Sequence, residues 1–257
     1  MKFIISASTD IGKRKQANQD SLFVRTFLTK YGRIAFAVLC DGMGGYSKGE
    51  VASAVLIRAF SSWIMEKSNF LFCNKIDEME IKKQWTKLID RENKKIKDYG
   101  NRHRISIGTT ITALLLTKTR YYIVNVGDTR VYEVTDSILQ ITNDHSFVQR
   151  EVDFGYLTPE EALNHPKSHL LLQCVGNSDE VKPEMHYGDC KQNAIYMLCS
   201  DGFRRKISES EILQSFAPSV LTEADLMKQN EERMIELNKL RGETDNISVI
   251  TIRTIPS

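Results

Sequence analysis

Several things are scarce in this chain. Five prolines and fourteen glycines among 257 residues are too few for a low-complexity or disordered polypeptide. The five cysteines, at 40, 73, 174, 190 and 199, form an odd set without a C-x-x-C pair, which argues against a disulfide scaffold or a zinc ribbon. Cys40 and Cys199 lie inside apolar runs and read as buried thiols. Lysine and arginine outnumber aspartate and glutamate by only 35 to 33, too even a balance for a nucleic-acid footprint or a polybasic membrane binder. The longest uncharged apolar run, Ile34 to Cys40, is far below the ~20 residues of a membrane helix. The first ten residues turn polar too early for a secretory leader. No repeat, linker or composition break divides the chain. The expectation is a single domain over 1–257 in the reducing cytoplasm, monomeric, with no nucleic-acid or membrane partner.

What is present is a series of short apolar runs. Residues 3–8, 22–26, 33–40, 110–116, 121–126, 131–134, 194–199 and 247–252 read as strands. The Gly127-Asp128 turn makes 121–134 look like a hairpin. Helices are signalled by caps. Ser47-Lys48-Gly49-Glu50 has the form of a capping box. Residues 78–97 carry Ile81, Trp85, Leu88 and Ile89 on one face. Thr158-Pro159-Glu160-Glu161, Ser208-Glu209-Ser210-Glu211 and Thr222 open three more helices. Strands and helices do not alternate one for one, so antiparallel sheets with helices outside them, an α+β arrangement, fit better than a doubly wound parallel sheet.

The informative pattern is an aspartate at the edge of an apolar run, usually beside glycine: Asp20, Asp41-Gly42, Gly127-Asp128, Asp201-Gly202 and Asp245-Asn246. Strand ends are rigid mounts, and carboxylates with few imidazoles suit a hard cation, Mg²⁺ or Mn²⁺, better than zinc. Each pair taken alone is also an ordinary turn dipeptide, so residue types leave both readings open. The stretch Asp41-Gly42-Met43-Gly44-Gly45 is neither a Walker nor a dinucleotide fingerprint.

The ordered segments Gly12-Lys13-Arg14-Lys15-Gln16-Ala17-Asn18-Gln19-Asp20, Asp41-Gly42-Met43-Gly44-Gly45, Gly108-Thr109-Thr110, Val126-Gly127-Asp128-Thr129-Arg130, Asp144-His145-Ser146, Ser200-Asp201-Gly202 and Asp245-Asn246 resemble the motifs of the metal-dependent (type 2C, PPM) protein serine/threonine phosphatases, bacterial branch. The match runs from Ser6 to Ile252. The resemblance implies a four-layer α-β-β-α sandwich of two mainly antiparallel sheets flanked by helices. It also implies two Mn²⁺ or Mg²⁺ ions per chain, with a third, weaker site. Asp41 would bridge the two ions, the Gly42 carbonyl would bind one of them, and Asp201 and Asp245 would complete the other shell. Asp20 would lie in or just behind that shell, and Asp128 with Asp201 would hold the third ion. Asn18, Gln19 and Asn246 would support the ligands. The implied reaction is hydrolysis of phosphoserine and phosphothreonine in substrates of a serine/threonine kinase, by a hydroxide between two cations and without a phosphoenzyme.

Three departures from the family pattern stand out. Lys15, preceded by Arg14, occupies the position of a phosphate-clamping arginine, and a lysine lacks the planar bidentate fork. Met43 occupies the position of a histidine general acid in many relatives. Residues 147–176 resemble a mobile flap, with His169, Gln173 and Leu170-Leu171-Leu172 near its end. Two other readings keep the fold: a non-catalytic regulatory module, and a hydrolase of small phosphate esters.

Overall fold

A computed structural model describes residues 1–30, 32–44, 48–71 and 77–256, with backbone only over 67–71. The elements run, in order, β1 (Lys2–Asp10), β2 (Asp20–Thr29), β3 (Gly32–Gly44), α1 (Gly49–Leu71), α2 (Glu78–His103), β4 (Ile107–Thr109), β5 (Ile111–Leu116), β6 (Arg120–Val126), β7 (Arg130–Val134), β8 (Ile138–Gln140), α3 (Phe147–Asp153), α4 (Pro159–Leu163), β9 (Glu184–Asp189), β10 (Ile195–Cys199), α5 (Asp201–Arg204), α6 (Glu209–Phe216), α7 (Ala224–Leu240) and β11 (Ile247–Ile255). One sheet has the order β1-β11-β10-β7-β8, the other β2-β3-β5-β6-β9 with β4 added to β3. Every pairing among these strands is antiparallel.

The unbroken apolar runs have a simple origin: both faces of each central strand are covered. Side chains alternate along a strand. Ala35, Ala37 and Leu39 of β3 therefore meet Leu114, Ile123, Leu198 and Ile250 between the sheets. Ile34, Phe36, Val38 and Cys40 point the other way, onto Leu56, Phe60 and Trp63 of α1 and Trp85 of α2. The second sheet repeats the scheme, with Met197, Cys199 and Val249 packed under Phe203, Phe216 and Met234. This is the expected four-layer sandwich.

Trp85 shows how the outer layer is held. It is fully buried, with ring centroids 5.5 Å from Trp63, 6.1 Å from Phe60 and 6.2 Å from Phe36. Trp85→Ala should cost about 3–5 kcal/mol through lost contacts and the cavity left behind. Urea unfolding checks this; a change below about 1 kcal/mol would contradict the packing.

Several local expectations change. The strands β6 and β7 are not a hairpin. β6 pairs with β5 and β9 in one sheet, and β7 with β10 and β8 in the other. The Gly127-Asp128 turn, with Gly127 at φ +110°, carries the chain from one sheet to the other. β4 and β8 have three residues each, too short for a periodic signal, and the partly exposed β9 is an edge strand. The last helix starts at Ala224 with Glu223 as its uncapped N-cap residue, beyond Thr222. The other two caps form as expected: Thr158 and Ser208 each close a capping box, with Glu161 and Glu211. The predicted second helix extends past Lys97 to His103, where Arg104 ends it in the left-handed conformation. The capping box at Ser47 and the thiol at Cys73 lie outside the described residues. Cys40, Cys174, Cys190 and Cys199 are buried and free. Among the described residues no helix is long and apolar enough to cross a membrane.

Candidate active site

The strand alternation that builds the core also places the carboxylates. Leu22 of β2 and Leu39 of β3 are register partners that face the space between the sheets, and two residues further along come Asp20 and Asp41, again register partners. Asp41 therefore lies within β3 and not in a turn after it. On the facing sheet, the residue after β10 is Ser200, whose N–H donates to the Ser248 carbonyl at 3.0 Å. Asp201 begins α5 there, and Asp245 and Asn246 lead into β11. All these aspartates thus collect at one end of the sandwich.

Asn246 ties the surrounding loops together. Its Oδ1 accepts from the Gln19 N–H at 2.9 Å, and its Nδ2 donates to the Ile11 and Ala17 carbonyls at 2.9 and 3.2 Å. Asn18 accepts from the Asp20 N–H at 3.1 Å and donates to Thr9 at 2.7 Å. Two glycines permit the close approach. A Cβ on Gly12, at φ +76°, would fall 2.0 Å from the Asp245 carbonyl oxygen, and one on Gly202 would fall 2.2 Å from that of Asn246. The Gly42 N–H donates to the Gln19 carbonyl, and the Asp41 N–H to Thr110 Oγ1 at 2.9 Å. Thr110 Oγ1 in turn meets Thr129 Oγ1 at 2.8 Å, fastening the Asp41 strand to the Asp128 turn.

The electrostatics are those of crowded anions. Burial pushes Asp20 up to about 7, and the charges of Asp201 and Asp245 add to the rise. Both Asp20 carboxylate oxygens are buried without a hydrogen-bond partner. The Ser248 and Ser200 hydroxyls lie near enough to temper the shift without forming bonds of acceptable geometry. Asp41 is raised well above the carboxylate range by burial and by Asp20, Asp201, Asp128 and Asp245. Asp128 is pushed up to about 7 by burial and Asp201, against the pull of Arg204. Burial also raises Asp201, whose Oδ1 has no partner, while Arg205 opposes the rise. Orphaned carboxylate oxygens in an all-oxygen donor set fit a hard divalent cation.

Three cations moderate this field. Lys15 Nζ pairs with Asp245 Oδ1 at 2.6 Å, and Arg205 pairs with Asp201 Oδ2 while lying 3.9 Å from Asp245 Oδ2. Arg204 lies 3.5 Å from Asp128 Oδ2 and donates to the Asp128 carbonyl at 3.0 Å. Arg204 also reaches Asp144, which Arg130 grips with two 2.9 Å bonds. Although burial works the other way, Arg204 and Arg130 hold Asp144 below the usual range. Asp144 thus joins the Asp144-His145-Ser146 segment to Arg130 of β7 and Arg204 of α5. Arg14 is exposed and takes no part in these pairs. Among the described residues, no group of three or more His, Cys, Asp and Glu side chains is drawn together tightly enough to hold a metal ion as it stands. The fold gathers the carboxylates at one end, and ion pairs hold Asp201 and Asp245 on Arg205 and Lys15.

Arg204 and Arg205 were absent from the sequence-based site. Their signal was legible, two arginines three and four residues after Asp201 on one helical turn. Residues 147–176 open with α3, which Ser146 caps, and the segment is tied back through bridges of Ser146 to Leu171 and Thr109 to Val175. Phe154, Tyr156 and Leu163 stand exposed on this segment.

Comparison with known proteins agrees with this architecture. Protein phosphatase PhpP of Streptococcus pneumoniae is 29% identical over 252 residues, covering 96% of each chain. The serine/threonine protein phosphatase PstP of Mycobacterium tuberculosis is 32% identical over 95% of this chain and 44% of its own length. The S. agalactiae serine/threonine phosphatase superposes with a TM-score of 0.82 at 30% identity, over 98% of this chain and 100% of its own. The PstP catalytic domain in complex with two manganese ions gives 0.77 at 28% identity, over 99% of both chains. The family profile of protein phosphatase 2C matches residues 11–239. On these grounds, and in line with the motifs, the chain belongs to the protein phosphatase 2C family.

Proposed function

We propose that this protein hydrolyses phosphoserine and phosphothreonine in proteins phosphorylated by a serine/threonine kinase, with two divalent cations, Mn²⁺ or Mg²⁺, as cofactors. The observation that carries this is the set of buried, mutually repelling carboxylates at one end of a protein phosphatase 2C fold, with oxygens of Asp20 and Asp201 left unpartnered. Asp41, Asp201, Asp245 and the Gly42 carbonyl would hold the two ions, with Asp20 in or behind their shell and Asp128 and Asp201 available to a third. When bound, such ions supply a hydroxide nucleophile at neutral pH and neutralise charge on the phosphoryl oxygens.

The chain's own residues do the rest. Asn18, Gln19 and Asn246 fix the loop that carries Lys15, whose ammonium can meet the phosphate as a point charge. Burial pushes the Cys190 and Cys199 thiols up to about 12 and raises those of Cys40 and Cys174. A cysteine phosphatase needs the opposite shift, so no described thiol suits a covalent route. The exposed apolar residues of the flap offer a surface on which protein substrates are told apart.

The test compares hydrolysis of a phosphothreonine peptide, a nucleoside triphosphate and an aryl phosphate, each with Mn²⁺, with Mg²⁺ and with excess chelator. The expected result is metal-dependent turnover of peptide and aryl phosphate, with nucleotide hydrolysis at least about tenfold slower. Faster nucleotide turnover favours the small-ester reading; no turnover of any substrate with either metal favours a non-catalytic module.

A further inference from the structure

The arginine in the last turn of α5 and the one that follows it have different surroundings. Arg204 is held in place: its side chain is 13% exposed and donates to the Asp128 carbonyl and to Asp144, with Asp128 Oδ2 at 3.5 Å. Arg205 stands at the lip of the site, its side chain 32% exposed, beside Asp245 at 30% and Lys15 at 39%. Asp201, by contrast, lies deeper at 10%. The backbone beneath Arg205 is fixed, because Phe203 is fully buried and its carbonyl accepts from Asn238 Nδ2 at 2.7 Å. Of the two guanidinium groups, only that of Arg205 is free to exchange partners.

Its partners are the carboxylates that the proposed function assigns to divalent cations. Asp201 and Asp245, if they held divalent cations, would offer Arg205 fewer oxygens and a repelling charge. A guanidinium displaced to the lip meets a phosphate bidentately, which the ammonium of Lys15 cannot do. Resting on the proposed function, we infer that Arg205 orients the substrate phosphate in this chain, and that it occupies the Asp201 carboxylate in competition with the divalent cations.

The experiment compares the wild type with Arg205→Gln and Arg205→Lys. Mn²⁺ affinity is read by calorimetry, inorganic phosphate binding to the Mn²⁺-loaded proteins likewise, and steady-state constants with a phosphothreonine peptide; thermal melts confirm folding. Arg205→Gln should bind Mn²⁺ about three- to tenfold more tightly. It should bind phosphate at least about fivefold more weakly and lose about 10–100-fold in kcat/KM, mostly through KM. Arg205→Lys should return the Mn²⁺ affinity towards the wild-type value and leave phosphate binding weak. Unchanged Mn²⁺ affinity or unchanged phosphate binding in Arg205→Gln overturns the inference. If the wild type hydrolyses the peptide with Mn²⁺ meanwhile, the proposed function stands without it. A wild type that binds neither Mn²⁺ nor Mg²⁺ overturns both.

Discussion

Asp41→Asn should lower kcat on a phosphothreonine peptide by at least about 10³-fold at saturating Mn²⁺, equivalent to ~4 kcal/mol of barrier. The carboxylate it removes is the one whose charge feels Asp20, Asp201, Asp128 and Asp245 together. The same substitution should make the metal-free protein more stable. An asparagine keeps the shape and cannot ionise, which removes the cost of holding a carboxyl group buried among neighbouring anions. A gain of ~1–2 kcal/mol would raise Tm by a few degrees in a chain of this size. Added Mn²⁺, which should raise the wild-type Tm by mass action on the folded state, should do so far less in the variant. Activity and chelated stability thus move in opposite directions. An Asp41→Asn protein that retains turnover, or melts well below the wild type under chelator, would sink the assignment of Asp41 to the metals.

The second large effect is a pH dependence that metal reverses. Asp20 and Asp128 titrate at about 7 in the folded chain, against about 3.9 for an unfolded aspartate. The folded state therefore holds these protons after the unfolded state has released them. Their contribution to stability is complete below about pH 4 and is lost as pH rises through about 7. About three pH units correspond to a ceiling of ~4 kcal/mol for either group alone, and the groups share that loss because each repels Asp201. Asp144, held low by its two arginines, acts in the opposite sense and weakens the fold only in stronger acid. The chelated protein should accordingly melt higher at about pH 5 than at about pH 8. With Mn²⁺ the order should invert, since a cation held there would require the deprotonated carboxylates. Equal melting of the chelated protein at both pH values would refute the buried anionic cluster.

Much of the layer architecture can be read from one-dimensional patterns. Runs such as Ile34 to Cys40 are apolar on every residue, so a strand there must be covered on both faces, and the structure covers both. The caps at Thr158 and Ser208 are local bonds between residues three apart and needed no tertiary information. The exchange at Gly127-Asp128 shows where such reasoning stops. The turn dipeptide says that the chain reverses, but the partners of β6 and β7 are chosen by strands far away in sequence.

The site divides the same way. Their place at the edges of apolar runs marks Asp20, Asp41, Asp128, Asp201 and Asp245 as either turn residues or cation ligands, and the ordered motifs of the family decide between the two readings. What compensates each one is settled by the fold. Arg204 and Arg205 are neighbours in sequence, yet one is fastened to Asp128 and Asp144 inside the fold while the other rests on Asp201 at the mouth. Hydrophobic periodicity and local caps, both written in the order of residues, were enough to expect antiparallel sheets with helices outside them and to mark aspartates at the edges of apolar runs. The four layers and the metal reading came from the resemblance to the phosphatase family. Sheet membership, depth and ion pairing came only with the folded chain, since Coulomb energy and strand register depend on distances between residues that chain order does not specify.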